Sequence, residues 1–404
     1  MAPVLFFLLV TTISLAHGFR LQSAGCQVDI NEDLAEPQPL LIQPGGALDV
    51  TGFLQPNEKG IVYLTSGQKV IVACSGTDNY LSPFSEELAQ VTATCVSGTT
   101  FTINNKRYEL SDVVCSFKPS HNAFATGNKC YGNNIEIYIG FNVSRAFYKT
   151  IDVCFDQKLL GPLYSHTTVV AGIGGYETGV DRADFKPAGF YGSVSPESQF
   201  KRASEISTIG KLLGSADLGK KYISNTNDYF LARGHLAAKA DFVFGNQHRA
   251  TFYYVNVAPQ WQTFNGGNWA VLEQDVRQLA SDRGVDLEVY TGTHGIATLP
   301  DVNGNDTPLY LHADGMMPIP QFFWKVVYLS QSRAAVAFVG INNPYVRISQ
   351  HPELILCPDV SDEIGWVSWD PKSVKRGEGY ICEVAALRKM VPSIPNISVN
   401  KLLT

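Results

Sequence analysis

The chain has 404 residues, 45% of them hydrophobic and 17% charged, with 35 Gly, 21 Pro and a formal net charge of −6. That balance suits two or three domains with proper cores and excludes disordered, collagen-like and low-complexity proteins. The net acidity excludes a bulk polycation that coats nucleic acid or anionic membrane, and it leaves room for a local basic cleft.

Val4 to Ala16 is the one long apolar run. It is well short of the roughly 20 residues that cross a bilayer, so no membrane partner is expected. It ends in Ala16-His17-Gly18, small residues at the positions a signal peptidase requires, and reads as a secretory signal peptide over residues 1–18 with cleavage between Ala16 and Ala24.

Residues 19–160 read as a small Cys-rich β domain. Gly60-Ile-Val-Tyr-Leu, Gln68-Lys-Val-Ile-Val-Ala, Thr99-Thr-Phe-Thr-Ile-Asn and Ile135-Glu-Ile-Tyr-Ile-Gly-Phe are short, often alternating runs between turn residues. The eight cysteines are Cys26, Cys74, Cys95, Cys115, Cys130, Cys154, Cys357 and Cys382. None forms a CxxC pair, which speaks against zinc and for four disulfides in an oxidising compartment. Two hundred or so cysteine-free residues separate the first six from the last two, so pairing within each group is expected, with Cys357–Cys382 the one bond that can be named. His121 reads as a solvated loop histidine. Sequons at Asn142, Asn305 and Asn396 fit a secreted glycoprotein.

Residues 161–404 read as the catalytic domain. The glycine-rich stretch Val169 to Gly179 lacks the third glycine of a dinucleotide fingerprint. Gly214 to Lys221 approaches a phosphate-binding loop but puts Lys221 where Ser or Thr would hold magnesium, so no nucleotide cofactor is expected. Thr251 to Val257 reads as a strand ending at Ala258-Pro259. Asn268 to Ala280 spaces Trp269, Leu272, Val276 and Leu279 at helical intervals, with Gly284 as its stop. Leu287–Gly292, Phe322–Tyr328 and Ala335–Gly340 supply further strands of a central sheet.

Two blocks carry chemistry. Arg233-Gly234-His235 sets an imidazole after a guanidinium, across a glycine that lets the backbone approach a substrate. Asn256-Val-Ala-Pro-Gln260 is followed by Asn265-Gly-Gly-Asn-Trp269-Ala-Val-Leu-Glu273. A phosphodiester repels nucleophiles, so its hydrolysis needs an activated water and a cation for the charge on phosphorus and leaving oxygen. A near-neutral histidine can take the water's proton, and an asparagine oxygen is a hard ligand suited to magnesium. If one helix runs from Asn265 to Glu273, their Cα atoms lie roughly 12 Å apart, which favours Glu273 reaching an ion through water. Asn265 also fits a helix N-cap, Glu273 a solvated helix face and Trp269 a core residue. His166, His248, His294, His312 and His351 read as ordinary surface or core histidines.

Together these blocks resemble the DNA/RNA non-specific endonuclease family of the ββα-metal nucleases. They carry its Arg-Gly-His, Asn-x-x-Pro-Gln and Asn-x-Gly-x-Trp-x-x-Leu-Glu motifs in order and with the same internal spacings. The likeness covers about residues 162 to 390 and is greatest to secreted arthropod members, the crustacean duplex-specific kind among them. It implies an α+β fold, with a ββα-metal nuclease domain on a central, mostly antiparallel sheet, preceded by the small disulfide-stapled β-rich domain.

The resemblance implies roles residue by residue. His235 corresponds to the general base, Asn265 to the single protein ligand of Mg2+ (which Mn2+ can replace) and Glu273 to the acidic residue that holds the ion's water. Arg233 corresponds to the phosphate-side arginine and Asn256 to a supporting polar residue. Arg202, or Lys201 beside it, is the candidate for a second substrate-binding cation upstream. Ala232 departs from the aspartate that many members carry, which puts a carboxylate at that point in doubt. The implied activity is endonucleolytic hydrolysis of DNA, with RNA a second substrate, leaving 5′-phosphate ends. A non-catalytic nucleic-acid or glycan-binding protein on the same fold is the alternative, and intact His235, Asn265 and Glu273 argue against it. From Lys201 to Arg283 ten Lys and Arg face seven Asp and Glu, a local positive excess that would draw a polyanion. Phe252, Tyr253, Tyr254, Trp261 and Trp269 read as packing groups, which leaves few stacking platforms and favours duplex over single strands.

Overall fold

The computed structural model describes residues 25–45 and 52–404, so the expected signal peptide at 1–18 and its cleavage region lie outside the described residues. Among the described residues no helix is long and apolar enough to cross a membrane. The alternating runs of the first segment do form strands. Leu40–Ile42, Lys69–Ala73, Gln90–Ser97, Thr100–Ile103 and Lys106–Glu109 make a five-stranded antiparallel sheet in that order. All eight cysteines pair, as Cys26–Cys95, Cys74–Cys115, Cys130–Cys154 and the expected Cys357–Cys382. Each bond stays within its sequence group.

A nine-stranded sheet, counted among the described residues, is the backbone of the molecule. Its strands are β1 (Asn122–Lys129), β2 (Ile135–Val143), β3 (Ala146–Asp156) and β4 (Gly161–Val169). A separate two-stranded hairpin, β5 (Leu231–His235) and β6 (Val257–Trp261), stands apart from it. The large sheet continues with β7 (Leu287–His294), β8 (Phe322–Leu329), β9 (Ala334–Ile341) and β10 (Gly379–Cys382). The order β1-β2-β3-β4-β7-β8-β9-β10 is antiparallel throughout, and Lys401–Leu402 adds a short parallel pairing to β9. β9 is buried at every residue, as its run of apolar side chains requires of a strand covered on both faces. Because β1 to β3 come from residues before 160, main-chain hydrogen bonding crosses residue 160 through pairs such as Cys154 with Tyr164. By hydrogen bonding, the five-stranded and nine-stranded sheets part between Glu109 and Asn122, with Val114–Cys115 between them in a separate pair with Leu81–Ser82.

Two helices matter for the site, α1 (Arg202–Leu212) and α2 (Ala270–Arg283). In α2 the expected face of Leu272, Val276 and Leu279 is buried, and Gly284 ends it in the left-handed region at φ 60°. Loop residues before Leu40 and before β1 brace the segment that leads into β6. Asn246 donates to the Gln38 carbonyl at 3.0 Å, and the Tyr253 hydroxyl donates to the His121 carbonyl at 2.7 Å. His121 is therefore buried rather than solvated. Its ring meets Tyr253 edge-on at 5.3 Å, and burial drives its pKa down to about 3.

His166 is also more than an ordinary histidine. It lies in β4 between Asp152 of β3 (Nδ1 to Oδ2, 2.9 Å) and Glu288 of β7 (Nε2 to Oε2, 2.5 Å), and stacks on Tyr290 at 4.2 Å. Burial opposes its charge, yet the hydrogen bonds to Asp152 and Glu288 outweigh burial and hold its pKa at about 8. A folded-state pKa raised from 6.5 contributes about 2 kcal/mol of stability below pH 6.5, lost as pH rises through 8. Urea unfolding across that window is expected to show the loss, and His166→Gln to flatten it. A slope that His166→Gln leaves intact would place the titration elsewhere.

Candidate active site

The site is built on the β5–β6 hairpin, in which Leu231 faces Trp261, Arg233 faces Pro259 and His235 faces Val257. All five residues of β6 are buried. The expected strand over Thr251 to Val257 forms only from its last residue, because Tyr254–Asn256 closes a tight 3-10 turn first. Pro259 does not end the strand. A two-stranded hairpin has a free edge, where a residue without an N–H is tolerated.

Asn256 explains the turn. Its fully buried amide accepts from Ser165 Oγ of β4 at 2.9 Å and from the Ala237 N–H at 3.0 Å. It donates to the carbonyls of Ala237 at 2.9 Å and Thr251 at 3.2 Å. With every bond used inside the protein it fixes the backbone two residues after His235 and has nothing left for a substrate. Gly234 is likewise internal. A Cβ there would lie 2.4 Å from Gln260 Oε1 and 2.6 Å from Gln260 Cβ, so the hairpin's own packing, not access for a substrate, demands glycine.

His235 packs between Phe185 (5.2 Å) and Phe252 (5.1 Å). Burial, reinforced by the Arg182 charge, presses its pKa down to about 3, so the imidazole is neutral at ordinary pH. Nε2 is enclosed with no hydrogen-bond partner, which leaves Nδ1 as the nitrogen on the open side. Arg233 is caged by rings, its guanidinium 5.4 Å from Phe185 and 5.7 Å from both Phe200 and Tyr254. Arg202 lies 3.5 Å over Phe230 and donates at 2.7 Å to Glu205. That carboxylate is buried and also accepts from the Leu231 N–H where β5 begins, at 3.3 Å. Lys201 is exposed at the start of α1 and is not drawn into this group.

Between β6 and α2 the chain does not run as one regular helix. Asn265–Trp269 is a wider π turn in which Gly267 leaves helical angles (φ −100°, ψ −120°). The Arg376 backbone presses there, since a Cβ on Gly267 would sit 2.7 Å from the Arg376 carbonyl oxygen, and the Asn268 N–H donates to that carbonyl at 3.0 Å. Trp269 is core, as its alternative reading holds. Asn265 donates through Nδ2 to Gln262 Oε1 at 3.3 Å, which leaves its Oδ1 free. Glu273 accepts no hydrogen bond among the described residues. Burial raises its pKa to about 7 against the pull of Lys325. Lys325 is itself buried, donates to Thr291 Oγ1 at 2.5 Å and lies 5.3 Å over Trp269. Asp241, paired with Arg277 at 2.9 Å, bolts the segment after His235 to the turn of α2 beyond Glu273.

These donors suit a hard divalent cation. A free amide oxygen and an unpartnered carboxylate offer oxygen and no sulfur. Among the described residues no group of three or more His, Cys, Asp or Glu is placed to hold a metal, so water and substrate phosphate would complete the shell. The proximity of Arg182 to His235, of Glu205 to Arg202 and of Lys325 to Glu273 is not legible in the sequence. Arg182 stands more than fifty positions before His235 and carries no motif of its own beyond the neighbouring Phe185 that packs on the imidazole.

Residues 132–386 match the family described as DNA/RNA non-specific endonuclease. The "Salivary endonuclease" of Lutzomyia longipalpis is 30% identical over 348 residues, 86% of this chain and 78% of that protein. The "Salivary protein Tsal2A" of Glossina morsitans morsitans is 24% identical over 94% of each chain. The "Nuclease" of Serratia marcescens is 32% identical over 109 residues, 25% of this chain and 36% of that protein.

Gly234→Ala is expected to destabilise the protein by about 1–3 kcal/mol through overpacking against Gln260. Gln260→Gly should restore part of that loss in the double variant. Additive losses in thermal unfolding would show that the two positions do not share the space.

Proposed function

Because the chain belongs to the DNA/RNA non-specific endonuclease family and is an endonuclease, we propose that it is a secreted, magnesium-dependent enzyme that cuts DNA with little sequence preference and leaves 5′-phosphate ends. The observation that carries this reading is the neutral, ring-clamped imidazole of His235 with Arg182 and Arg233 around it. Export is supported by the apolar N-terminus, the four disulfides and the exposed sequon residues Asn142, Asn305 and Asn396, which glycans can reach.

The anionic diester binds by its phosphate oxygens to Arg182 and Arg233, with Arg202 held by Glu205 as a further cation toward the start of β5. His235 Nδ1, uncharged, accepts a proton from the attacking water. Asn265 Oδ1 and the Glu273 carboxylate would hold magnesium, the second through water, and the ion would supply charge stabilisation to the pentacovalent phosphorus and the leaving 3′ oxygen. Lys325 and Arg277 offset the Glu273 charge from below. Duplex DNA is the favoured substrate, because Phe252, Tyr253, Tyr254, Trp261 and Trp269 are all buried and give no stacking surface. RNA is a second substrate, since nothing in this group reads or rejects a 2′-hydroxyl.

His235→Ala is expected to keep its fold and substrate binding and to lose about 10²–10⁴ in turnover on plasmid DNA. Near wild-type cutting would remove His235 from the mechanism. Asn265→Ala should raise the magnesium needed for half-maximal rate as well as lower the rate; an unchanged requirement would contradict its role as ligand. Glu273 is protonated below about pH 7 in the ion-free protein, so the magnesium requirement should rise as pH falls through that value. Glu273→Gln should make the requirement pH-independent, and a persistent slope would point to another group.

A further inference from the structure

The hairpin ends at Trp261, and there the ring of Tyr345 meets it edge-on at 5.5 Å. Tyr222 and Tyr229 flank Tyr345 at 5.0 and 5.7 Å, and the Tyr345 hydroxyl donates to the Tyr222 carbonyl at 2.8 Å. The loop that bears Tyr345 is fixed to the hairpin by Asn342, which accepts from the Trp261 N–H at 2.8 Å and donates to the Pro259 carbonyl at 3.1 Å. Despite this anchoring, 38% of Tyr345 remains exposed.

Tyr345 forms one wall of a cavity of about 420 Å³, large enough for a nucleotide. Its charges do not select an anion, because Lys221 is opposed by Asp306 and Glu353. The Asn343 amide on its wall is engaged within the protein, donating to the Thr298 carbonyl at 3.2 Å and accepting from the Tyr345 N–H at 3.0 Å. Gln321 differs. It lines the cavity with its Oε1 turned toward Gly295, 3.1 Å from where a Cβ on that glycine would sit, and its side-chain amide has no hydrogen bond among the described residues. A fixed aromatic face next to a free amide matches a neutral, planar ligand with a polar edge, which is the chemistry of a nucleobase.

The cavity is linked to the catalytic group through Tyr229, which packs on Tyr345. Tyr229 precedes Phe230, on which Arg202 lies, and the Phe230 carbonyl accepts at 2.8 Å from the N–H of Gln262, the partner of Asn265.

We propose that this cavity is a subsite for one unpaired nucleotide of a single strand whose nearby phosphodiester occupies the catalytic group. The base stacks on Tyr345 and its edge bonds to Gln321. This rests on the nuclease reading above and extends it. A paired base cannot enter without leaving its duplex, so the subsite serves single strands and overhangs while duplexes are held by the arginines.

The test is binding without turnover. A fluorescently labelled single-stranded oligodeoxynucleotide and its matched duplex are titrated in EDTA with the full protein, Tyr345→Ala and Gln321→Ala, and anisotropy is read. Tyr345→Ala should weaken single-strand binding about tenfold and Gln321→Ala about threefold, with duplex binding within about twofold of wild type in both. Gln321→Ala leaves the packing on Trp261 intact, so it reports even where Tyr345→Ala disturbs the hairpin. Single-strand binding unchanged in both variants, or equal losses on both substrates, would overturn the proposal. Because no cleavage is involved, a protein that binds as expected yet fails to cut DNA with magnesium would sink the nuclease reading and not this one.

Discussion

A single buried amide holds the site in shape. Asn256 lies where water cannot reach it, and its four hydrogen bonds join β4, the turn before β6 and both main-chain groups of Ala237. Losing one partner would leave a buried polar group unpaired, so the arrangement is held more firmly than any one bond suggests. The same device recurs at the other corners of the ββα unit. Asn342 clasps Trp261, Pro259 and Pro320 at the far end of the hairpin. Asn268 bonds to Asp370 and Gly377 where the chain turns into α2. Three asparagines thus fix the hairpin and the start of α2 to their surroundings, the Asp241–Arg277 pair ties the segment after His235 to α2, and the rings of Phe185 and Phe252 hold the imidazole.

That rigidity lets opposite charges sit close without cancelling the site's purpose. Arg233 is held by aromatic faces rather than by a carboxylate, so its charge stays available to an anion. Arg202 does have a carboxylate partner, but Glu205 is the inner member of that pair and also serves the Leu231 N–H. On the helix side the order is reversed. Glu273 is left without a hydrogen bond while Lys325, Asp241 and Arg277 are engaged beneath it. Positive groups for phosphate, and a free amide oxygen on Asn265 with a free carboxylate on Glu273, answer the complementary demands of a diester and a cation.

Much of this was legible in the residues. Period and composition located part of both sheets, Lys69–Ala73 and Thr100–Ile103 in the smaller and Ile135–Val143, Leu287–His294, Phe322–Leu329 and Ala334–Ile341 in the larger, together with the buried face of α2, its Gly284 stop and the grouping of disulfides, because each depends on local pattern. What escaped depended on contacts distant in sequence. His121 looked solvated between Ser120 and Asn122, and only Tyr253, more than a hundred residues on, buries it. Gly234 looked like a passage for substrate until Gln260 was found in the space. Arg182 has no motif, and only the fold brings its charge to His235. Pro259 suggested the end of a strand, since nothing local shows that β6 belongs to a hairpin with a free edge.

The central claim is that this arrangement activates water against phosphorus, with the 3′ oxygen departing. The most direct measurement is to digest DNA with the wild-type protein and magnesium in water enriched in heavy oxygen, then locate the label by mass spectrometry. The account places one heavy oxygen in the 5′-phosphate of each new end. Label in a 3′-phosphate, or new ends that carry no label, would contradict it.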